Sequence, residues 1–340
     1  MRKLKLHEIT KCVRAASWSD LQKLADLLPG WVFRGQRETK WRLQPTLERF
    51  ADRVTGAHTL SDIEGHMVTQ FKRGAPTYLD DLPMHEDIIG WLSLIQSHGG
   101  PTRLLDMTRS LYVAAFFALA EHSESDHRVI WAINDRLVRG VLSEILRSED
   151  GRPLPCRNEF EAGELLNSTL TGKFDGPAAC AGAPFFLSDR LIAQQGLFLF
   201  SLNVENTLEQ NLYGMFGVDA AEVYPESLVG WFLNPFSRAL LPRLQRTPII
   251  KIVLPSEERI RVLTDLRRMN ITYASLFPGV DGFARGLNHE LLEILEPVRN
   301  GDSEADAEEL PPDVDGSAEA RSGATEGVEP ETRTSSPRDG

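Results

Sequence analysis

Cysteine is scarce in this chain: three residues in 340, Cys12, Cys156 and Cys180. None belongs to a Cys-x-x-Cys pair, and the number is odd. That excludes a disulfide framework and leaves too few thiolates for a closed zinc site, so no metal is expected. Long hydrophobic runs are missing too. The basic start, Met1-Arg2-Lys3-Leu4-Lys5-Leu6, has no apolar stretch behind it, and no stretch elsewhere reaches the length of a membrane span. The expectation is a cytoplasmic protein in a reducing compartment, with no membrane partner. A surplus of Lys and Arg is absent as well. The formal net charge is −12, but twelve Asp and Glu against three Arg between residues 300 and 340 account for −9 of it, leaving −3 for residues 1–299. A nucleic-acid surface needs a basic excess, so a nucleic-acid partner is not expected.

What is present is ordinary globular composition, 41% hydrophobic and 25% charged, ample for a large core. Residues 300–340 are rich in Glu, Asp, Pro, Gly and Ser and hold few large apolar side chains. They cannot offset the entropy of ordering and read as a disordered acidic tail, either solubilising or docking a protein partner. Residues 1–29 read as a helical extension and residues 30–299 as the domain itself.

Ser17 precedes Leu21, Leu24, Leu27 and Leu28, the pattern of an N-capped amphipathic helix stopped by Gly30. Trp31-Val32-Phe33 is a strand that Arg34-Gly35 would end, and Pro45 argues against a helix through residues 41–50. Helices are expected over 60–71, 87–97, 111–120 and 137–146, the third apolar almost all round and therefore buried. His98-Gly99-Gly100-Pro101 closes the second of them. Strands are expected over 129–133, 197–204 and 249–254, the last running into a helix from Pro255-Ser256-Glu257-Glu258, with a final helix over 287–295. Residues 148–188, with many Pro and Gly, read as loop. Short strands between helices and long loops imply an α+β fold of mixed small sheets with packed helices.

Three segments stand out in order. The first is Trp31-Val32-Phe33-Arg34-Gly35-Gln36 with Trp41 to Arg49. The second is Trp91 to Thr108, containing Gly100-Pro101-Thr102-Arg103-Leu104-Leu105-Asp106, and continues through Ser110 to Ala118. The third is Asp189 to Phe198. Together they resemble the FRG domain family, whose name is the Phe33-Arg34-Gly35 signature. Met107 stands where the family commonly has Trp, and Leu111 where it often has Pro. The resemblance implies a role in bacterial stress response or phage defence, without fixing a reaction.

A second resemblance is to ADP-ribosyltransferases, whose first strand carries an Arg in an aromatic-Arg-Gly motif, as in Phe33-Arg34-Gly35. Their second strand carries hydroxyls before a helix, as in Thr108-Arg109-Ser110 followed by Val113-Ala114. This resemblance implies an ADP-ribosyltransferase-like fold, with NAD as substrate rather than cofactor. Nicotinamide departure leaves positive charge on the ribose, as at the centre of glycoside hydrolysis, and a carboxylate stabilises it. An Arg grips pyrophosphate or ribose by charge-assisted hydrogen bonds, and hydroxyls orient the sugar. The Glu that such enzymes place shortly before a Gly is not evident: Gln195 precedes Gly196, and Asp189 is the nearest carboxylate on that segment. The chain is therefore either an NAD-cleaving enzyme, transferase or glycohydrolase, or a non-catalytic module binding a small nucleotide or a protein.

The candidate catalytic residues are Arg34, Thr108, Ser110 and Gln195; the candidate ligand-binding residues are Gly35, Gln36, His98, Arg103, Asp106 and Arg190. Each has a structural alternative. Arg34 can pair with Asp106 or Glu64, and Arg103 with Asp106. Ser110 can cap the following helix. His98 can be a hydrogen-bonded turn residue rather than a base. Gln194 and Gln195 can satisfy buried backbone groups, and Trp31, Trp41 and Trp91 can be core rather than stacking platforms.

Overall fold

Alternation along two strands decides the architecture. In β4 (His127–Ile133), Val129, Trp131 and Ile133 join one apolar cluster while Ile130 and Ala132 join another. In β7 (Ile249–Pro255), Ile250, Ile252 and Leu254 lie in the second cluster and Ile249 in the first. Strands buried on both faces must sit between two helical layers. Each fully buried Ile or Leu contributes about 1.5–3 kcal/mol, so the layers specify the strands more strongly than local propensity does. The computed structural model describes residues 6–51, 59–123, 125–146, 156–171, 174–218, 244 and 246–295. The acidic tail expected over 300–340 lies outside the described residues.

Among these residues one mixed sheet of seven strands runs in the order β1-β7-β4-β2-β3-β6-β5. The remaining strands are β1 (Thr10–Arg14), β2 (Val32–Gln36), β3 (Leu105–Thr108), β5 (Ala179–Gly182) and β6 (Gly196–Ser201). β1 and β7 are parallel; every other neighbouring pair is antiparallel. One face is covered by α2 (Trp18–Leu27), α6 (Leu111–Leu119), α11 (Arg259–Arg268) and α12 (Tyr273–Leu276). The other is covered by α4 (Leu60–Gly74), α5 (Ile88–Ser97), α7 (Asp135–Ile145), α8 (Glu159–Thr171) and α10 (Leu208–Gly214). The helices α1 (Leu6–Ile9), α3 (Thr46–Ala51), α9 (Asp189–Ala193) and α13 (Val280–Leu295) complete the chain order. The fold class is α+β, as expected, with the short strands joined in a single sheet.

Several local expectations need correction. The segment expected as a helical extension, residues 1–29, also supplies β1, which pairs with β7 over Thr10–Arg14 and is built into the sheet. Five residues are too few to show a period. β2 does not end at Arg34-Gly35 but continues to Gln36, because β4 pairs with it at every position. No helix runs through Pro45, as expected, but one starts directly after it: the Pro45 carbonyl accepts from Arg49 N (3.2 Å) and α3 follows. Residues 148–188 contain α8 and β5, the latter built from Ala179-Cys180-Ala181-Gly182, small residues that resemble loop in composition but are wholly buried.

The three cysteines are free and buried. Burial raises the Cys12 thiol to about 11, the charge of Lys251 opposing the shift, and raises Cys156 and Cys180 as well. The native protein at pH 8 is therefore expected to react with a thiol reagent more than a hundredfold slower than the urea-unfolded chain. Absorbance of the released thiol chromophore checks this, and prompt labelling of any one cysteine in the native state would contradict it.

Candidate functional site

β2 pairs with β4 over its whole length but with β3 at one position only, Phe33 opposite Thr108. Past that bridge the two strands diverge at the centre of the sheet. The gap is a cavity of about 300 Å³ walled by residues 33–37 and 106–108, with Trp41, Phe117, Glu121, Arg190 and Gln194 closing it. Beyond Phe33 the β3 side of β2 thus has no ladder partner among the described residues and borders the cavity.

Arg34 spans the gap. Its Nη1 donates to the Asp106 carbonyl at 2.7 Å and stands 4.0 Å from the Asp106 carboxylate. Its Nε is buried and has no hydrogen-bond partner among the described residues. Desolvation pulls the Arg34 pKa down; Asp106 acts in the other direction and Arg49 adds to the lowering. Asp106 is oriented from the α5 side. The Gln96 amide donates to its Oδ1 at 2.9 Å, and the Gln96 carbonyl oxygen accepts from the Thr102 hydroxyl. The turn that places Thr102 is a Schellman closure of α5: Gly99 has φ +85° and Gly100 N donates to the Ile95 carbonyl at 2.9 Å.

On the opposite wall, Arg37 donates to Glu121 at 2.5 Å and lies 5.0 Å over the Trp41 ring. Trp41 is 40% exposed, a large aromatic left at a cavity wall, whereas Trp31 and Trp91 are buried. Arg190, exposed, stacks 4.8 Å from the Phe277 ring centre and has no ion pair among the described residues. The cavity therefore offers guanidinium groups, two carboxylates (Asp106 and Glu121) and an aromatic plate. That set suits an organic anion carrying a ring.

Six of the ten candidate residues meet at this cavity: Arg34, Gly35, Gln36, Asp106, Thr108 and Arg190. The Gln36 amide is already used, accepting from Trp131 Nε1 (2.8 Å) and donating to the Arg42 carbonyl (3.1 Å). The Thr108 hydroxyl donates to the Gln194 carbonyl at 2.7 Å and accepts from Ser110 N. At Gly35 the close approach is made by α6, not by a ligand: a Cβ there would lie 1.9 Å from the Ala114 carbonyl oxygen.

The other four lie elsewhere. Ser110 is the N-cap of α6, accepting from Val113 N at 3.3 Å. Gln195 is exposed with φ +47°, and its carbonyl accepts from Arg109 N; the residue on the cavity wall is Gln194, whose amide donates to the Leu276 carbonyl at 2.9 Å. His98 is the C-cap of α5 and borders a separate apolar groove with Phe71 and Tyr78. Arg103 is buried in an ion pair with Glu64, not Asp106. Sequence reasoning missed Glu121 and Arg37 as wall residues; Gln194, read there as satisfying buried backbone, does donate to the Leu276 carbonyl at 2.9 Å while lying at the wall. A signal existed for Glu121, the first charged residue after the buried stretch 111–120. Among the described residues no group of three or more His, Cys, Asp or Glu could hold a metal, and no helix is long and apolar enough to cross a membrane.

Residues 29–127 match the FRG domain model, a span from just before β2 to the start of β4. It includes Arg34, Asp106, Thr108 and Glu121 but not Arg190 or Gln194. No curated protein and no solved structure matches the chain.

Proposed function

We propose that, in a chain whose residues 29–127 are an FRG domain, the gap between β2 and β3 binds a nucleotide of the NAD type. The observation that carries this is Arg34: a guanidinium in a central cavity, with a buried Nε left without a partner among the described residues. A buried donor without an acceptor costs about 1–3 kcal/mol, and an anionic or sugar oxygen of a ligand would remove that cost. Trp41 and Phe117 supply apolar surface for a ring, and Arg190 a second cation. If the nicotinamide–ribose bond is cleaved, Asp106, held by Gln96, and Glu121, paired with Arg37, are the carboxylates nearest the developing positive charge. The Thr108 hydroxyl, held on Gln194, is not free to act as a base.

Binding without turnover is the second reading. It is favoured by the third segment of the resemblance, which brings Gln194, its amide held on the Leu276 carbonyl, and Arg190 to the cavity wall but no carboxylate. Titration of the full chain with NAD, with nicotinamide release followed in parallel, separates the two. Wild-type protein is expected to bind, and Arg34→Ala to weaken binding by about ten- to a hundredfold, the worth of a hydrogen bond to a charged group. Nicotinamide release abolished by Glu121→Gln supports the enzyme; binding without release supports the module. Failure of millimolar NAD to bind wild-type protein overturns the reading.

A further inference from the structure

Beyond the Arg34–Asp106 bridge lies a second chamber of about 210 Å³, which shares Arg34, Asp106, Arg190 and Gln194 with the first cavity. We propose that this chamber is a phosphate site, so that a bound nucleotide lays its ring in the first cavity and its diphosphate in the second, with Arg34 between them. The inference rests on the nucleotide reading of the first cavity.

Charge is the first reason. The second chamber adds Arg49 of α3, so three guanidinium side chains stand around it against one carboxylate, Asp106. That carboxylate is already engaged, with Oδ1 accepting from Gln96 and Oδ2 4.0 Å from Arg34. Arg49 donates to the Gln44 carbonyl and Arg190 stacks on Phe277; both are neutral partners, and neither guanidinium has an ion pair among the described residues. Arg49 also opposes the charge on Arg34, so the two cations stand within each other's field. A dianion between them would turn that repulsion into two attractions.

The division of polar and aromatic surface is the second reason. Of the two, Trp41 and Phe117 border the first cavity and not the second, whereas Thr46, Ser93, Ser97 and Ser188 border the second and not the first, the three serines also lining the groove that continues from it towards Pro184 and Phe186. Most of the hydroxyls thus lie on one side of Arg34 and the exposed indole on the other, with Thr108 and Phe198 as the exceptions. A base with no phosphate would use one side, inorganic phosphate or pyrophosphate the other, and a nucleoside diphosphate or dinucleotide both. Forked guanidinium groups suit phosphate oxygens better than a single carboxylate would require.

Calorimetric titration of the full chain with three probes tests this: adenosine, inorganic pyrophosphate and ADP-ribose. Arg49→Ala is expected to weaken pyrophosphate and ADP-ribose at least tenfold and to change adenosine less than twofold. Arg49→Lys is expected to retain part of the loss-sensitive affinity, as a point charge without the fork. Ser93→Leu, which fills the chamber from α5, is expected to exclude pyrophosphate while leaving a folded protein by thermal unfolding. Equal effects of Arg49→Ala on all three probes, or none on pyrophosphate, would overturn the phosphate assignment. So would wild-type protein that takes adenosine or NAD but not pyrophosphate, and in that case the nucleotide reading of the first cavity survives. Arg49-dependent binding of pyrophosphate without any binding of ADP-ribose has the opposite meaning: it upholds the anion chamber and removes the nucleotide.

Discussion

Replacing Glu64 by alanine is expected to destabilise the protein by about 3–5 kcal/mol, the cost of leaving a buried charge without its partner. Glu64, on α4, is fully buried and Arg103 only 3% exposed. The carboxylate accepts from Arg103 Nε at 2.7 Å and from Nη2, while Nη1 donates to the carbonyls of Ser201 and Leu202. The pair therefore ties α4 to the segment leading into β3 and to the end of β6. Alanine would keep the guanidinium in the interior with two carbonyls and no counter-charge. Urea unfolding followed by tryptophan fluorescence gives the midpoint and slope from which the loss is read. The double variant Glu64→Leu with Arg103→Met should lose less than Glu64→Ala alone, because both charges leave the interior together. A loss below about 1 kcal/mol for Glu64→Ala would mean that Arg103 finds water or another acceptor.

The second large effect is expected at Gly35. Its absent side chain makes room for α6, whose backbone crosses directly over β2: an added Cβ would lie 1.9 Å from the Ala114 carbonyl oxygen and 2.6 Å from Ala118 N. Both are main-chain atoms in a helix buried almost all round, so no rotamer change relieves the overlap. Gly35→Ala should cost about 3 kcal/mol or more, the upper end of overpacking. Gly140 is the control. It lies in α7, a Cβ there meets nothing within 4 Å, and Gly140→Ala should be neutral or stabilise by about 0.5–1 kcal/mol. Denaturant midpoints for the two variants should move in opposite directions, and a Gly35→Ala protein as stable as wild type would contradict the α6 contact.

α2, α4, α5, α6 and α7 were legible because their apolar residues recur at helical spacing or fill the helix and their caps are local, whereas α8, set in a Pro- and Gly-rich stretch, was not. Ser17, Asp87 and Ser110 each accept from a backbone N three residues on. β4 and β7 were legible as apolar runs. β1 and β5 were not: Thr10–Arg14 mixes charge with apolar residues, and Ala179–Gly182 has no bulky side chain. Both become strands through partners distant in sequence, which no local window contains. The site divides in the same way. Arg34, Asp106 and Thr108 could be chosen from motifs, since each sits on a strand flanking the gap. The choice between Gln194 and Gln195 depended on a left-handed residue at 195 that turns the chain between α9 and β6, and neither side chain signals it. Arg103 belonged to Glu64, thirty-nine residues earlier, rather than to its near neighbour Asp106.

Strand edges normally lie at the rim of a sheet, where proteins protect them against added strands. Here one lies in the middle, between β2 and β3, guarded by the guanidinium that reaches across it. A guest entering there would meet amide hydrogens and carbonyl oxygens that belong to every amino acid alike. Part of its recognition would then be written in main chain, beyond the reach of side-chain substitution, and an alanine at position 34 would blunt binding without erasing it.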